Sequence, residues 1–354
     1  MNCSIAAATA AASSGEAPGA MIDSCARRFM FPRRLSWRRV TEIPVLDHDR
    51  VLQAVSAAAA IEHVREALIA HHRGDWTMPP KVYLQSPPHG DFRAMPALGD
   101  GLALLKWITS FPGNPARGLP TVTGLVCLSD AANGQPLMLL DARSVTALRT
   151  GAVAAVAAQA LARPEAARVG IIGCGLHGRW TALALAAAGY ADGVCFDPRP
   201  EVAAALADEL GWAAGSRDSA LSAEIVNCIT PGAQVVLDAA DLRPGQHLNM
   251  LGADGSGKAE ATVGAIASCT LFCDEWEQAS HGGELTGAVQ AGMVRRESVT
   301  ELGAVLAGDA PGRPGPAAVT LFDSTGLAIQ DLAIARAALA AWCEGRVTAQ
   351  TVRL

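Results

Sequence analysis

The sequence predicts an α/β protein built around a doubly wound parallel sheet. Between residues 169 and 274, short apolar runs of strand length alternate with stretches of helical spacing; the runs are VGII, GVCF, EIVNCI, HLNML and TLFCD. This alternation is typical of β-α-β units, whose strands form a parallel sheet covered by helices. A glycine-rich turn follows the first run, and 354 residues are enough for about two domains.

The composition excludes several classes of function. Half of the residues are hydrophobic, 18% are charged and the formal net charge is −6, so the chain offers no general attraction for nucleic acid phosphates. No uninterrupted apolar run reaches the length of about 18 residues that a membrane-spanning helix needs. We therefore expect neither nucleic acid nor a membrane as a partner.

The cysteines indicate the compartment and bear on metal binding. The sequence has nine, with no C-x-x-C pair and no histidines at zinc spacing. This pattern favours reduced thiols and a cytoplasmic location. The run EWEQASHGGE, with Glu277, His281 and Glu284, lacks a convincing set of metal ligands, and we predict no metal site.

The first elements are an extension and a helical segment. Residues 1–39 begin with an Ala/Ser-rich stretch and end in CARRFMFPRRLSWRRV. We expect a disordered or poorly ordered extension or an overlong translation start, with a transit peptide as the alternative. From Val51 to His72, apolar residues at helical spacing predict two helical pieces, with a cap at Ser56 and a stop at Gly74. We expect this segment to cover a sheet.

Strands and helices then follow in separate blocks. Between Lys81 and Asp141, the runs KVYL, LLKWITSF, TVTGLVCLS and PLMLLD predict strands separated by Pro, Gly, Asn and Asp turn signals. Ser144 is predicted to cap a long Ala-rich helix that ends near Arg163-Pro164 and leads into the strand RVGII. The last part, VTLFDSTGLAIQDLAIARAALAAWC, predicts a strand, a turn and a long helix.

The glycine-rich turn predicts a dinucleotide site. Gly173, Gly175 and Gly178 form G-C-G-L-H-G directly after the apolar strand and before a helical stretch, which is the arrangement of a Rossmann domain. The first glycine permits the tight turn, the second lets the backbone approach a pyrophosphate, and the third allows close packing of helix on strand. We include Leu176 and His177 among the cofactor contacts, although for His177 we favour a solvated loop histidine.

The choice of cofactor depends on two residues after the next strand. Asp197 lies 24 positions beyond Gly173, where its carboxylate could accept both ribose hydroxyls of NAD. Arg199 could instead pair with the 2′-phosphate of NADP, but Asp197 repels that phosphate. We predict NAD, with NADP as the alternative.

The distribution of basic residues singles out three positions. The 28 basic residues include only three lysines, Lys81, Lys106 and Lys258, and therefore 25 arginines. A site that keeps lysine in such a sequence needs a compact ammonium or a group whose pKa can move. The alternative is that three lysines remain by chance.

Ten stretches in family order resemble the ornithine cyclodeaminase/mu-crystallin family, and within it the archaeal-type alanine dehydrogenases. They lie between about residues 43 and 340 and are MPPKVYL, GDFRAMPAL, LLKWITSFPGNP, GLPTV, SVTALRTGA, VGIIGCG, LGADGSGK, EQASHGGEL, ELGAVLAG and FDSTGLAIQD. The resemblance implies that a Rossmann NAD-binding domain, residues 151–319, is inserted into an α+β substrate-binding and dimerisation domain, residues 40–150 plus 320–354. It also implies a homodimer formed through the sheet of that second domain.

The resemblance implies roles for four ionic positions. Arg149 and Lys106 match the family's residues that hold a substrate α-carboxylate, and a lowered pKa would let Lys106 transfer protons. Lys81 occupies a position where ornithine cyclodeaminases carry arginine and alanine dehydrogenase-like members carry lysine. Arg93 is implied as a further carboxylate ligand.

Other matches concern the nitrogen side of the substrate and the nicotinamide. Asp254 matches the family's catalytic aspartate, which hydrogen-bonds the substrate nitrogen or a water and stabilises an iminium. Lys258 in the same loop is expected to fix the loop. The segments after two strands are implied to line the nicotinamide end of the cofactor, namely Thr230, Pro231, Ser324, Thr325 and Gly326.

Three functions follow as hypotheses. The first is an NAD(H)-dependent enzyme that interconverts an α-imino acid, or a 2-oxo acid plus an amine, with an L-α-amino acid. The second is an ornithine cyclodeaminase-type lyase with tightly bound NAD. The third is a non-catalytic mu-crystallin-like protein that binds nucleotide and a small ligand, which the retention of all four ionic positions disfavours.

Overall fold

The structure is a computed structural model that describes residues 42–353, apart from Ala233 and Ser256. In this part of the chain there are two β-sheets, one with seven strands and one with eight. The extension predicted at residues 1–39 lies outside the described residues.

The first sheet combines strands from both ends of the described chain. Its strands are β1 (Ile43–Leu46), β2 (Val82–Ser86), β3 (Gly90–Gly99), β4 (Leu102–Ser110), β5 (Val122–Asp130), β6 (Pro136–Asp141) and β15 (Gln350–Val352). Their order is β15-β1-β6-β5-β4-β3-β2, and β2 to β6 are antiparallel neighbours. On β4, buried side chains such as Lys106 alternate with outward ones such as Leu105, as the two-residue period of a strand requires.

Four helices lie on the inner side of this sheet. They are α1 (His48–Ala54), α2 (Ala57–His72), α3 (Ala142–Leu161) and α11 (Ala328–Cys343). Ser56 caps α2 as predicted, because its hydroxyl accepts the N–H of Ala59 at 3.2 Å, and Gly74 follows the helix with a φ of 80°. Of this segment, α1 packs on β1 and β6, whereas α2 packs mainly against the helices α3, α10 and α11.

The start of α3 differs from the prediction. Its N-cap is Asp141, whose carboxylate accepts the backbone N–H of Ser144 at 3.0 Å, and the Ser144 hydroxyl donates back to the same carboxylate. Both residue types favour N-caps, but β6 ends at Asp141 and the chain turns directly into the helix. Ser144 therefore lies inside the first turn.

The second sheet is parallel throughout. Its strands are β7 (Arg168–Ile172), β8 (Asp192–Phe196), β9 (Ala213–Ala214), β10 (Ile225–Cys228), β11 (His247–Met250), β12 (Thr270–Cys273), β13 (Val299–Glu301) and β14 (Thr320–Asp323), in the order β13-β12-β14-β11-β10-β7-β8-β9. The helices of this part are α4 (Leu176–Ala187), α5 (Pro200–Leu210), α6 (Arg217–Leu221), α7 (Val263–Ala267), α8 (Trp276–Gly282), α9 (Thr286–Gln290) and α10 (Leu302–Ala307). The five predicted strands of this region are confirmed. Because β8 and β10 lie on opposite sides of β7, the sheet has its topological switch point at β7 and β10.

The chain passes between the two sheets at places that differ from the predicted boundaries. Strand β14 pairs with β11 and β12 in the second sheet, although residues 320–354 were expected in the first domain. All four of its residues are buried, as a central parallel strand requires. Helix α11, which follows it, packs on β3 and β4. The boundary predicted at residue 151 falls inside α3.

Helix α3 joins the two halves of the core. It is long and apolar enough to cross a membrane, but 83% of its most apolar window is buried inside the protein. It contacts β5 of the first sheet, β11 of the second, and helices α2, α4 and α11. Its apolar character is therefore that of a central core helix.

Candidate active site

The glycine-rich turn lies at the switch point of the parallel sheet. Gly173 has a φ of 97°, and a Cβ there would lie 2.6 Å from the carbonyl oxygen of Ile229. A Cβ on Gly178 would overlap the carbonyl oxygen of Gly173, so helix α4 could not approach the turn with a larger residue. Gly175 caps α4 and has no atom within 4 Å of its Cβ position, which leaves open space at the helix N-terminus. This geometry suits a pyrophosphate, with the first-turn N–H groups from Leu176 onward as donors.

The carboxylate of Asp197 is held on both oxygens at the end of β8. One oxygen accepts the backbone N–H of Cys174 at 3.0 Å, and the other accepts the N–H and the Nε–H of Arg199 at 3.0 and 3.1 Å. Burial raises the pKa of Asp197. The hydrogen bonds lower it by more than burial raises it, so the pKa lies below its usual value. The carboxylate is therefore ionised and oriented beside the glycine turn.

Two acidic side chains, Glu260 and Asp274, fix the loops at the carboxyl ends of the central strands. Glu260 accepts the backbone N–H groups of Thr230 at 2.6 Å and Gly252 at 2.7 Å, and so ties the Thr230-Pro231 segment after β10 to the loop after β11. Glu260 is fully buried, so these two hydrogen bonds are shielded from water. The two loops are thereby held together at the edge where ligands bind in such sheets.

The segment after β14 is held in the same way by Asp274. This buried carboxylate accepts the Ser324 hydroxyl at 3.2 Å, the Thr325 hydroxyl at 3.1 Å and the Gly326 N–H at 2.9 Å. Three of the residues predicted to line the nicotinamide end therefore share one acceptor at the end of β12.

Two cations contact the segment after β14: Lys81, next to the first sheet, and Arg149, in α3. Lys81, immediately before β2, donates from Nζ to the carbonyl oxygen of Thr325 at 2.6 Å. Arg149 lies in α3, and its guanidinium fills the space that a Cβ on Gly326 would occupy. Gly326 also has a φ of 78°, so glycine is required there both for the turn and for the arginine.

Lys106 and Arg149 share one carboxylate. Lys106 Nζ lies 2.9 and 3.0 Å from the two oxygens of Asp331 on α11, and Arg149 Nε lies 3.7 Å from one of them. Lys106 is 1% exposed and Asp331 is fully buried. Lys106 points inward from β4 and Asp331 lies in the first turn of α11, so the fold brings together two residues that are 225 positions apart.

Asp254 is the centre of a second ionic group. One carboxylate oxygen accepts Arg93 at 2.6 Å and the other accepts Lys258 at 2.6 Å. Arg93 is also bound by Asp91 at 2.6 Å, and Tyr83 donates its hydroxyl to the Asp254 carbonyl oxygen at 3.1 Å. Arg93, which is predicted as a further ligand of the substrate carboxylate, has its guanidinium between the carboxylates of Asp91 and Asp254.

The electrostatics show that these groups act on one another. Burial lowers the pKa of Lys81 and of Lys106 to about 8; Asp254 and Asp331 respectively oppose the shift, and Arg149 adds to it in both cases. Burial raises the pKa of Asp254, but the neighbouring cations Arg93 and Lys258, with Lys81, hold it far below its usual range. The predicted cations and the predicted catalytic aspartate therefore lie in one cluster.

His177 lies beside the same cluster. It is half-buried in the first turn of α4, which differs from the solvated loop histidine expected from the sequence. Burial, with the positive charge of Arg149, lowers its pKa to about 4, so the imidazole is neutral at physiological pH.

Several residues of the site were missed by the sequence analysis. Asp331, Asp274, Glu260 and Tyr83 all contact predicted site residues. The available signal was a lone acid in an apolar run, as in LAIQDLAI for Asp331 and TLFCD for Asp274. A carboxylate in the core needs a cation or hydrogen-bond donors as partners, and a chain with three lysines leaves few candidates for a lysine partner.

The acidic run around α8 makes contacts within the part of the chain that forms the parallel sheet. Glu284 accepts the backbone N–H groups of Glu260 and Ala261 at 2.9 and 2.6 Å, and His281 Nδ1 lies 3.0 Å from the Ser280 hydroxyl. Among the described residues no group of three or more His, Cys, Asp or Glu side chains could hold a metal ion.

Known proteins resemble the chain over most of its length. An alanine dehydrogenase of Archaeoglobus fulgidus is 38% identical over 302 residues, which cover 83% of this chain and 94% of the relative. A solved archaeal alanine dehydrogenase dimer with bound NAD is 36% identical with a TM-score of 0.84, covering 88% of this chain and 99% of that one. The Δ1-pyrroline-2-carboxylate reductase of Thermococcus litoralis, solved with NADH and L-proline, is 26% identical with a TM-score of 0.82, covering 88% and 100%.

The family assignment rests on most of the described chain. The model of the ornithine cyclodeaminase/mu-crystallin family matches residues 42–345, which include the parallel sheet, the first sheet apart from β15, the glycine-rich turn and every residue of the ionic cluster. The chain belongs to the ornithine cyclodeaminase/mu-crystallin family.

Proposed function

We propose that this protein is an NAD(H)-dependent oxidoreductase that interconverts an α-imino acid, or a 2-oxo acid plus an amine, with an L-α-amino acid. The observation that carries the proposal is the clustering of Lys81, Lys106, Arg149 and Asp254 at the carboxyl end of the parallel sheet, where Lys81 and Arg149 contact the Thr325–Gly326 segment. Its relatives include an alanine dehydrogenase and a pyrroline-2-carboxylate reductase.

The cations account for recognition of the acid group. A planar carboxylate fits the fork of Arg149, and Lys106 adds a point charge on the same side. Because the two cations Lys106 and Arg149 share the single negative charge of Asp331, this group of three has one positive charge left for an incoming carboxylate. Fixed cations hold the α-carbon in place, which is what a hydride transfer demands of the protein.

Asp254 accounts for the nitrogen side. Its ionised carboxylate stabilises the positive charge of an iminium, and Arg93 and Lys258 hold it in position. With its pKa far below the usual range, Asp254 remains ionised and is a poor proton carrier. Lys81, whose pKa is about 8, is better suited to give or take a proton at the substrate.

The nucleotide site fits NAD. The open cradle at Gly175 fits a pyrophosphate, and the Asp197 carboxylate is placed for the ribose hydroxyls, while Arg199 is already paired with it. The bound nicotinamide would accept or supply the hydride. The solved archaeal alanine dehydrogenase relative carries NAD.

Two properties of the whole protein belong to the same proposal. We propose a homodimer formed through the outward face of the first sheet, where Leu105 and Leu125 are 45% and 49% exposed in a single chain. The archaeal alanine dehydrogenase relative is a dimer. A cytoplasmic location fits the described cysteines, all of which are free.

The experiment compares net redox with cyclodeamination. We expect NADH to be consumed with pyruvate plus ammonium or with pyrroline- or piperideine-2-carboxylate. Lys106→Met and Asp254→Asn are expected to keep nucleotide binding, measured by NADH fluorescence titration, while losing turnover. Conversion of ornithine to proline and ammonia without net NADH use would replace the proposal by the lyase. If no amino, imino or 2-oxo acid shifts the melting temperature of the NAD-loaded protein, a binding protein is the better description.

A further inference from the structure

The contact between β4 and α11 places a buried acid against Lys106 and Arg149, the two cations that the proposed function assigns to the substrate carboxylate. Asp331 is fully buried, and both of its oxygens lie within 3.0 Å of Lys106 Nζ. Its second neighbour is Arg149, at 3.7 Å. Since α11 begins two residues after Gly326, the carboxylate is also tied to the segment held by Asp274.

The charges around Lys106 would favour loss of its proton without this acid. Burial lowers the pKa of Lys106, and Arg149 and Lys81 lower it further, while the nearby His177 is neutral. Asp331 is the charge that raises it, through both its field and its hydrogen bonds. A lysine that is 1% exposed needs such a partner to remain an ammonium.

We propose that Asp331 is a positioning residue that keeps Lys106 protonated and directs it, together with Arg149, toward the substrate carboxylate. The proposal rests on the function proposed above. It distinguishes two roles that geometry alone allows: Asp331 supports the cations, or it competes with the substrate acid for them. Under the first role, removing the Asp331 carboxylate lowers the affinity for the substrate. Under the second role, removing it raises that affinity.

The three lysines allow a direct measurement on the ligand-free protein. Labelling lysine at Cε with carbon-13 gives three side-chain signals, which Lys106→Met assigns by the loss of one. In Asp331→Asn we expect the titration midpoint of Lys106 to fall by about 1 to 3 pH units, and in Asp331→Glu to stay near that of the parent protein. The matched control is Asp100→Asn, which removes an ion pair between Arg336 of the same helix and the β3–β4 turn and should leave the Lys106 midpoint unchanged.

The pH profile provides the readout in turnover. The upper pH limit of kcat/KM for the acid substrate should move down in Asp331→Asn together with the Lys106 midpoint, whereas Asp100→Asn should keep both. An unchanged Lys106 midpoint in folded Asp331→Asn, or tighter binding of pyruvate by that variant at pH values around 7, would overturn the proposal.

A double substitution tests whether Asp331→Asn loses stability because of Lys106. If Asp331→Asn is unstable because Lys106 is left uncompensated, adding Lys106→Met should raise its melting temperature. No rescue would mean that Asp331 serves the helix and not the lysine. Because the titration needs no substrate, a shifted Lys106 midpoint in a protein that reduces no imino or 2-oxo acid would reject only the proposed function.

Discussion

Lys81 is paired differently from the other cations of the site. Lys106, Arg93 and Lys258 each contact a carboxylate, whereas Lys81 donates to the backbone carbonyl of Thr325. A carbonyl oxygen accepts a hydrogen bond without neutralising the ammonium, so the charge of Lys81 remains available to a ligand. An arginine at this position would keep that charge but could not release a proton near neutral pH.

We expect the affinity for a substrate acid to decrease as pH rises through about 8. The pKa values of Lys81 and Lys106 are both about 8, and only the protonated lysines bind the substrate carboxylate. Both lysines are protonated well below this pH and lose their protons above it. The fall should approach about tenfold per pH unit for each lysine that must be protonated. Titration of the NADH-loaded protein with a 2-oxo acid measures it. A constant affinity up to the range of free lysine would show that neither pKa is lowered.

The second prediction at this scale concerns the nucleotide. In Asp197→Asn the charge that repels a 2′-phosphate is lost and Arg199 is released from its partner. The ratio of kcat/KM with NADH to that with NADPH should fall by about 10- to 100-fold, the value of one or two hydrogen bonds to a charged group. Glu209→Gln, which affects the Arg179 ion pair on the neighbouring helices, serves as control. If the ratio is unchanged, Asp197 does not contact the ribose.

At the scale of elements, strands that read as apolar runs were predictable, and a strand interrupted by charged residues and proline was not. Continuous apolar runs such as those of β7 and β10 are typical of strands covered on both faces. Strand β3 was missed because Asp91, Arg93 and Pro96 interrupt its pattern. Asp91 and Arg93 are accommodated by the ionic cluster, and Pro96 lies beyond Ala94, the last residue of β3 that pairs with β2. The cap of α3 was misassigned because two N-cap residues lie three positions apart, and the end of β6 decides between them.

The site was predictable wherever a motif carried it. Lys81, Lys106, Arg149 and Asp254 follow from the resemblance, and the structure brings them together. Their partners were not predictable, because Asp331 is 225 positions from Lys106 and only the packing of α11 on β4 makes them neighbours.

The start of α4 provides a prediction for an element. In Gly178→Ala the added Cβ would overlap the carbonyl oxygen of Gly173, so α4 must move away from β7. We expect loss of NADH binding by about tenfold or more, since pyrophosphate contacts depend on that helix end, together with a lower melting temperature. Gly189→Ala, with open space around its Cβ but a φ of 103°, tests stability alone. Normal NADH affinity in Gly178→Ala would place the nucleotide elsewhere.

At the scale of the molecule, the first sheet has one covered face and one apolar open face. Helices α3 and α11 pack on its inner side, whereas the outward residues of β2 to β5 include Val82, Leu84, Leu105 and Leu125, all exposed in a single chain. An open apolar sheet face of this extent is typical of a subunit interface.

A charged residue on this face should separate the subunits. We expect Leu105→Asp and Leu125→Asp to be monomeric by size-exclusion chromatography with light scattering, because the like charges of a symmetric interface would be buried without partners. Met293→Asp is the control, since Met293 is equally exposed but lies in the part of the chain that forms the parallel sheet. Dimers of both sheet variants would locate the interface on another surface.

The pairing of β1 with β15, and of Lys106 with Asp331, also sets the order in which a nascent chain can fold. On the ribosome, the strands that carry Lys81 and Lys106 emerge long before α11 and β15, which complete their sheet and provide the counter-charge. The intervening parallel strands emerge in between, and β14 closes their sheet shortly before α11 follows. The substrate-binding half therefore cannot be completed before α11 and β15 have left the ribosome, and Lys106 lacks its carboxylate partner until α11 packs on β4.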